Sequence, residues 1–97
     1  MFEVGTAAAD AAIAEAIAAL AAAEKPVVYA GGGIALGDAV LDLRAFVEAS
    51  AIPTVMTLRG LGALPPQHPQ SLGMLGMHGT RAANMAVQES DLLLVLG

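Results

Sequence analysis

The stretch KPVVYAGGG, residues 25–33, joins a short apolar run to three consecutive glycines. The run has the length and composition of a buried strand, and the glycines that follow it are typical of a tight turn. Asp38 follows closely and is predicted to open a helix that ends near Ser50. The local order is therefore strand, turn and helix, and this order determines the fold class.

The same alternation extends on both sides of this stretch. Thr6 can cap an Ala-rich helix over about residues 7–23, and IPTVMTL (52–58) predicts a second strand. A long loop is predicted from Arg59 to Met77, followed by a third helix capped by Thr80 and a last strand, DLLLVLG (91–97). The residues predicted to face inward are Ile13, Ile17 and Leu20 in the first helix, Val40, Leu43 and Val47 in the second, and Ala82, Met85 and Ala86 in the third.

The predicted order, αβαβαβ, is typical of an α/β protein. Strands that alternate with helices and consist of continuous apolar runs favour a parallel sheet with right-handed crossovers. We therefore expect a three-layer, Rossmann-like parallel sheet that is partial, with about three strands. Three strands leave two sheet edges uncovered, so we expect the chain to be a fragment of a larger domain and to self-associate when isolated.

Composition excludes several classes of function. The chain has 97 residues, 57% of them hydrophobic, which is enough for one small domain. A net charge of −5 with four scattered basic residues makes nucleic acid an unlikely partner in terms of charge. The absence of cysteine excludes disulfides and thiolate metal sites and fits a cytoplasmic protein. The Ala-rich run is interrupted by Glu15, so it predicts neither a membrane span nor a signal peptide.

Ligands of open α/β sheets bind at the carboxyl ends of the strands. Three features meet there: the glycine turn 31–33, the pair Thr57 and Leu58, and Gly97. They indicate a nucleotide-type ligand. The glycine spacing does not match G-x-G-x-x-G, and no acidic residue ends the second strand, so an ordinary NAD site is not predicted. Close packing of the turn explains the glycines as well as phosphate contact does.

No side chains are spaced as a catalytic or metal site. His68 and His78 are not in an H-x-x-x-H arrangement, and neither a carboxylate pair nor a Ser-His-Asp order is present. Methionines 56, 74, 77 and 85 have two interpretations, as core filler or as soft contacts to a flat aromatic ligand, and the local sequence favours filler. No catalytic residue and no metal ligand is therefore predicted within the chain.

Three segments together carry a family resemblance: KPVVYAGGG, PTVMTLRGLGALPPQHP and LGMLGMHGTRAANMAVQESDLLLVLG. They resemble the central domain of the large catalytic subunit of acetolactate synthase (acetohydroxyacid synthase), a thiamine-diphosphate enzyme. The resemblance covers residues 24–97, whereas 1–23 matches only as an Ala-rich helix. Residues 1–97 are accordingly expected to form part of that central domain.

The resemblance implies an FAD site at the carboxyl edge, in which FAD has a mainly structural role. The residues that match the family's FAD contacts are Gly32, Thr57, Leu58, Leu75, Gly76, Met77, His78 and Gly97. It also implies a full-length transferase that condenses pyruvate with pyruvate or 2-oxobutyrate, with loss of CO2, in branched-chain amino acid biosynthesis. The sites for thiamine diphosphate and Mg2+ belong to other domains of the family, so the 97-residue chain alone is expected to be inactive.

The resemblance further implies a homo-oligomer with active sites between subunits, and it allows a small regulatory subunit. Two alternatives stay open. One is the central domain of another flavin-containing thiamine-diphosphate enzyme, such as glyoxylate carboligase or pyruvate oxidase. The other is a non-catalytic nucleotide-binding remnant.

Overall fold

A computed structural model of the protein describes residues 2–4, 10–77 and 79–97. These residues form an α/β fold around a five-stranded parallel sheet. The strands are β1 (Phe2–Val4), β2 (Pro26–Ala30), β3 (Thr54–Met56), β4 (Ser71–Met74) and β5 (Leu92–Leu96), and the helices are α1 (Asp10–Ala22), α2 (Gly33–Leu36), α3 (Val40–Ser50) and α4 (Arg81–Glu89).

The strand order is β1-β5-β2-β3-β4, which places β2 at the centre of the sheet. The connections from β1 to β2 and from β2 to β3 run in one direction across the sheet, and the connection from β4 to β5 runs back. Crossovers between parallel strands share one handedness. Helices in connections that run in opposite directions across the sheet must therefore lie on opposite faces of it. The packing meets this requirement, because α4 lies on the face opposite to α1 and α3.

Alternate residues of β2 face two separate apolar clusters. Val28 and Ala30 lie in the larger cluster with buried residues of α1, α2 and α3, whereas Val27 packs on Ala83 of α4. Period-two alternation thus buries both faces of the central strand. The three-layer α/β prediction is confirmed.

The number of strands is larger than predicted. Strands β2, β3 and β5 occupy the predicted runs, but β1 and β4 were not predicted, and β4 lies inside the segment assigned to a long loop. Strand β4 pairs with β3 through Thr54↔Ser71 and Met56↔Met74, so it contains one extra residue between the two pairs. The prediction failed there because a bulged, glycine-containing strand that closely follows three prolines lacks the continuous apolar run of a buried strand.

Two helix predictions are corrected. Helix α3 starts at Val40, with Ala39 rather than Asp38 at its N-cap, although Leu43 and Val47 are buried as expected. Helix α4 buries Ala83 and packs Ala86 and Val87 against the core, whereas Ala82 and Met85 are exposed. The inward stripe is therefore rotated by one residue from the prediction, because Ala82 and Ala83 are equally apolar and periodicity alone does not separate them.

Helix α1 covers the sheet less completely than predicted. Ala16 is buried and Leu20 packs against the core, but Ile13 and Ile17 are exposed, Ile17 by 61%. The Thr6 cap predicted for this helix lies outside the described residues. Within the described part of the chain, no helix has the length and apolar character needed to cross a membrane.

At the amino edge of the sheet, Asp91 ties the start of β5 to the start of β2. Its two carboxylate oxygens accept hydrogen bonds from the backbone amides of Glu24 at 2.7 Å and Lys25 at 2.8 Å. These two bonds, with the Glu24 amide contributing most, hold the pKa of the Asp91 carboxyl below its usual value. A lowered pKa means that the ionised carboxylate stabilises the folded chain.

The substitution Asp91→Asn is therefore expected to lower the thermal unfolding temperature at pH 7, because an amide offers only one acceptor oxygen for two donors. The stabilisation by Asp91 is complete above the pKa of the unfolded state and is lost as the pH falls through the lower folded-state pKa. The difference in unfolding temperature between the wild type and the variant should thus shrink as the pH falls from the unfolded-state pKa of Asp91 through its folded-state pKa. Thermal unfolding followed by circular dichroism at several pH values checks this, and a difference that is independent of pH would contradict it.

Candidate functional site

The loops that follow four parallel strands meet at the carboxyl edge of the sheet. In spatial order they begin at Gly97 after β5, Gly31 after β2, Thr57 after β3 and Leu75 after β4. Every predicted cofactor-binding residue that the structure describes lies at this edge: Gly32, Thr57, Leu58, Leu75, Gly76, Met77 and Gly97. His78, the remaining predicted site residue, lies outside the described residues.

The centre of the edge is made of backbone. The amide of Gly31 donates to the carbonyl oxygen of Leu96 at 2.9 Å, and the amide of Gly33 donates to that of Gly97 at 3.1 Å. A Cβ at Gly31 would stand 2.5 Å from the Gly97 oxygen, and one at Gly33 would stand 2.9 Å from the Gly97 Cα. Close packing between neighbouring strand ends therefore accounts for Gly31, Gly33 and Gly97.

Gly31, Gly33 and Gly97 form a glycine floor at this edge, and the loop after β3 packs next to it. The amide of Thr57 donates to the carbonyl oxygen of Ala30 at 3.0 Å, and the Thr57 hydroxyl oxygen accepts from the amide of Gly60 at 3.0 Å. A Cβ at Gly32 would lie 2.9 Å from the Cβ of Arg59. Thr57 thus fixes the start of the loop through hydrogen bonds of its amide and its hydroxyl group. Its neighbours Leu58 and Arg59 are exposed to solvent.

Arg44 of α3 binds the far end of this loop. This contact was not predicted from the sequence. The Arg44 Nε donates to the carbonyl oxygen of Ala63 at 2.9 Å, and a terminal guanidinium nitrogen donates to that of Gly62 at 3.0 Å. Between the loop and the helices lies a cleft of about 200 Å³. Its lining consists of Gly31, Ile34, Ala35, Val40, Arg59, Gly60, Leu61, Gly62 and Ala63.

Two large apolar side chains project from the edge into solvent. Leu58 is 73% exposed and Met77 is 94% exposed, whereas Met56 in the adjacent strand is only 2% exposed. Core filling is therefore the correct interpretation for Met56 and the wrong one for Met77. An apolar side chain held outside the core is available to contact a ligand.

A cavity larger than this cleft lies elsewhere in the described structure. It has a volume of about 440 Å³ at the amino edge of the sheet, between the first residues of β2 and β3 and the last turns of α3 and α4. None of the predicted site residues lines it. Among the described residues, no group of three or more His, Cys, Asp or Glu side chains could hold a metal ion.

Comparison with known families matches residues 13–97 to the central domain of thiamine pyrophosphate enzymes. The chain belongs to this family. The matched range contains strands β2 to β5 and the whole of the carboxyl edge that the structure describes.

Individual relatives are acetolactate synthases. The chain is 55% identical over 78 residues to the acetolactate synthase isozyme 2 large subunit of Escherichia coli K12, a match covering 80% of this chain and 14% of the relative. It is 53% identical over 85 residues to an acetolactate synthase of Mycobacterium bovis, covering 88% and 14%, respectively. It is 50% identical over 88 residues to the large subunit of Lactococcus lactis, covering 91% and 15%. The chain thus spans about one seventh of the length of these relatives.

We expect Gly60→Ala to destabilise the fold by about 3 kcal/mol, because its Cβ would overlap the carbonyl oxygen of Ala30, a backbone atom that cannot move aside. Gly62→Ala is the matched control in the same loop. Gly62 has a φ of +97° and no neighbour within 4 Å, so only backbone strain of about 1 kcal/mol is expected. Chemical denaturation of both variants measures the difference, and equal losses of stability would contradict the assigned contact.

Proposed function

We propose that the chain is part of the central domain of an acetolactate synthase large subunit, and that its carboxyl edge supplies part of an FAD site. The identity of 50–55% over most of the chain supports the first part of the proposal. The convergence of the residues after β2, β3, β4 and β5 on one edge supports the second part, and it is the observation that carries the assignment.

The residues at this edge suit a flat cofactor with a charged linker. Gly32 is half-buried and Gly97 is exposed, and neither carries a Cβ, so a ligand can approach their backbone closely. Leu58 and Met77 offer apolar surface for an aromatic ring, and the exposed Arg59 offers a cation to a pyrophosphate. The remaining proposed FAD contacts are Gly32, Thr57, Leu75, Gly76, His78 and Gly97.

In the proposed full-length enzyme, pyruvate condenses with a second 2-keto acid, pyruvate or 2-oxobutyrate, with loss of CO2. Thiamine diphosphate, bound with Mg2+ by other domains, supplies the carbon–carbon bond chemistry of such an enzyme. The residues of this chain would bind and orient FAD, which has a structural role in the proposal. The 97-residue chain on its own is therefore proposed to be inactive.

The relatives from Escherichia coli and Lactococcus lactis are named as large subunits. On that basis we propose that the full-length protein forms a homo-oligomer and pairs with a small regulatory subunit. The absence of cysteine from the chain fits the cytoplasmic location that this biosynthetic role implies.

An antibody against residues 74–88 provides the first test. Since the chain spans 14–15% of its relatives, we expect a native polypeptide roughly seven times the 9.7 kDa of this chain. The purified polypeptide should form acetolactate from pyruvate when thiamine diphosphate, Mg2+ and FAD are added. A band at 9.7 kDa would contradict the enzyme assignment for this chain. Oxidation of pyruvate, or carboligation of glyoxylate, would instead identify another flavin-containing member of the family.

The substitutions Leu58→Ser and Met77→Ser test the FAD edge. Burial of a Leu or Met side chain contributes about 1.5–3 kcal/mol, so each variant should bind FAD at least about tenfold more weakly. Flavin fluorescence during titration of the apo polypeptide measures the dissociation constant. Ile17→Ser, which changes an exposed aliphatic side chain in the middle of α1, is the matched control and should bind FAD normally. Unchanged affinity in both edge variants would place FAD elsewhere.

A further inference from the structure

Asn84, in the first turns of α4, holds Gly76 by both of its backbone groups. The Asn84 Oδ1 accepts from the amide of Gly76 at 3.0 Å, and the Nδ2 donates to the carbonyl oxygen of Gly76 at 2.8 Å. The Nδ2 also donates to the carbonyl oxygen of Thr80 at 3.1 Å. Only one orientation of the side-chain amide satisfies one donor and two acceptors, so these contacts define the orientation of Asn84.

Gly76 is a residue whose conformation needs external support. Its φ is +112°, and nothing lies within 4 Å of the position that a Cβ would occupy. Glycine loses more conformational freedom on ordering than any other residue, and no side-chain packing compensates for this loss here. The two hydrogen bonds to Asn84, together with the one that the Gly79 amide donates to the carbonyl oxygen of Gly76 at 3.0 Å, therefore select one backbone conformation for the segment that ends in the exposed Met77.

The surrounding bonds connect this contact to the sheet. The amide of Leu75 donates to the carbonyl oxygen of Met56 at 3.0 Å, and the amide of Thr80 donates to that of Met74 at 2.9 Å. The Thr80 hydroxyl donates to the carbonyl oxygen of Leu72 and accepts from the amide of Ala83 as the N-cap of α4. The segment 75–77 is thus fixed to β3 at one end and to α4 at the other.

We propose that Asn84 is a positioning residue of the FAD edge, which sets the backbone of Gly76 and, through it, the place of Met77. This proposal rests on the proposed function. Asn84 is not expected to touch FAD itself. It acts by removing alternative conformations of residues 75–77 before the cofactor binds, so that less ordering is required on binding.

Two variants in the natural polypeptide that carries this chain test the proposal. Asn84→Ala removes all three hydrogen bonds, and it is expected to raise the FAD dissociation constant about tenfold. Asn84→Asp keeps an acceptor for the Gly76 amide but sets an oxygen against the carbonyl oxygens of Gly76 and Thr80. A carboxylate near the N-terminus of α4 favours the helix, so a purely structural role would leave this variant stable and fully able to bind FAD. The positioning role predicts weaker FAD binding with an unchanged unfolding temperature.

Gln88→Ala is the matched control, because it truncates an exposed amide side chain one turn further along α4. It should bind FAD with wild-type affinity. Hydrogen–deuterium exchange of peptides spanning residues 75–77 supplies a readout that does not need FAD. Exchange at Gly76 should be about fivefold to tenfold faster in Asn84→Ala than in Gln88→Ala.

The outcomes separate this inference from the proposed function. If the wild type binds FAD and both Asn84 variants bind it equally well, the positioning role is wrong while the FAD edge stands. If the wild type does not bind FAD, the proposed function fails and so does the positioning of an FAD contact. In that case the exchange rates still show whether Asn84 orders Gly76, and equal rates in Asn84→Ala and Gln88→Ala would overturn that contact as well.

Discussion

At the carboxyl edge of the sheet, the backbones of β2 and β5 run past their last paired residues, Ala30 and Leu96, into a contact between glycines. The two strand ends lie so close together that neither has room for a Cβ. This contact produces a floor of bare backbone in the middle of the edge. The exposed apolar side chains of this edge, Leu58 and Met77, come from the loops after β3 and β4, which both lie on the β3 side of the contact.

Each of those loops is held by a helix on a different face of the sheet. Arg44 of α3 binds the carbonyl oxygens at the end of the loop after β3, and Asn84 of α4 binds Gly76 in the loop after β4. Because α3 and α4 pack on opposite apolar clusters, the position of both loops depends on the packing of all three layers. The core therefore stabilises the geometry of the edge as well as the fold.

An element of this structure can be predicted from the sequence where it is marked by a hydrophobic run or by turn residues. Strands β2, β3 and β5 are continuous apolar runs next to turn residues, and their order places the edge correctly. Strand β4 is half-buried throughout and interrupted by Gly73, so it has no such signal. Arg44 and Asn84 act through bonds from a side chain to the backbone of another element, and neither hydrophobic periodicity nor motif spacing contains that information.

The glycines of the chain, which the sequence left with two interpretations, divide in the structure into two physical classes. Gly31, Gly33 and Gly97 are required by contact between backbones, and they would be needed whether or not a ligand binds. Gly76 stands in open space and is required only by its φ of +112°.

Exposure of apolar side chains does not by itself identify a site either, because Leu36 and Leu41 are also largely exposed. Leu58 and Met77 differ from these in position, because they lie at the carboxyl edge and each directly follows a residue that is hydrogen-bonded to a neighbouring element, Thr57 to Ala30 and Gly76 to Asn84. An exposed apolar side chain on a fixed backbone loses little further freedom on contact with a ligand, and this combination supports a binding edge.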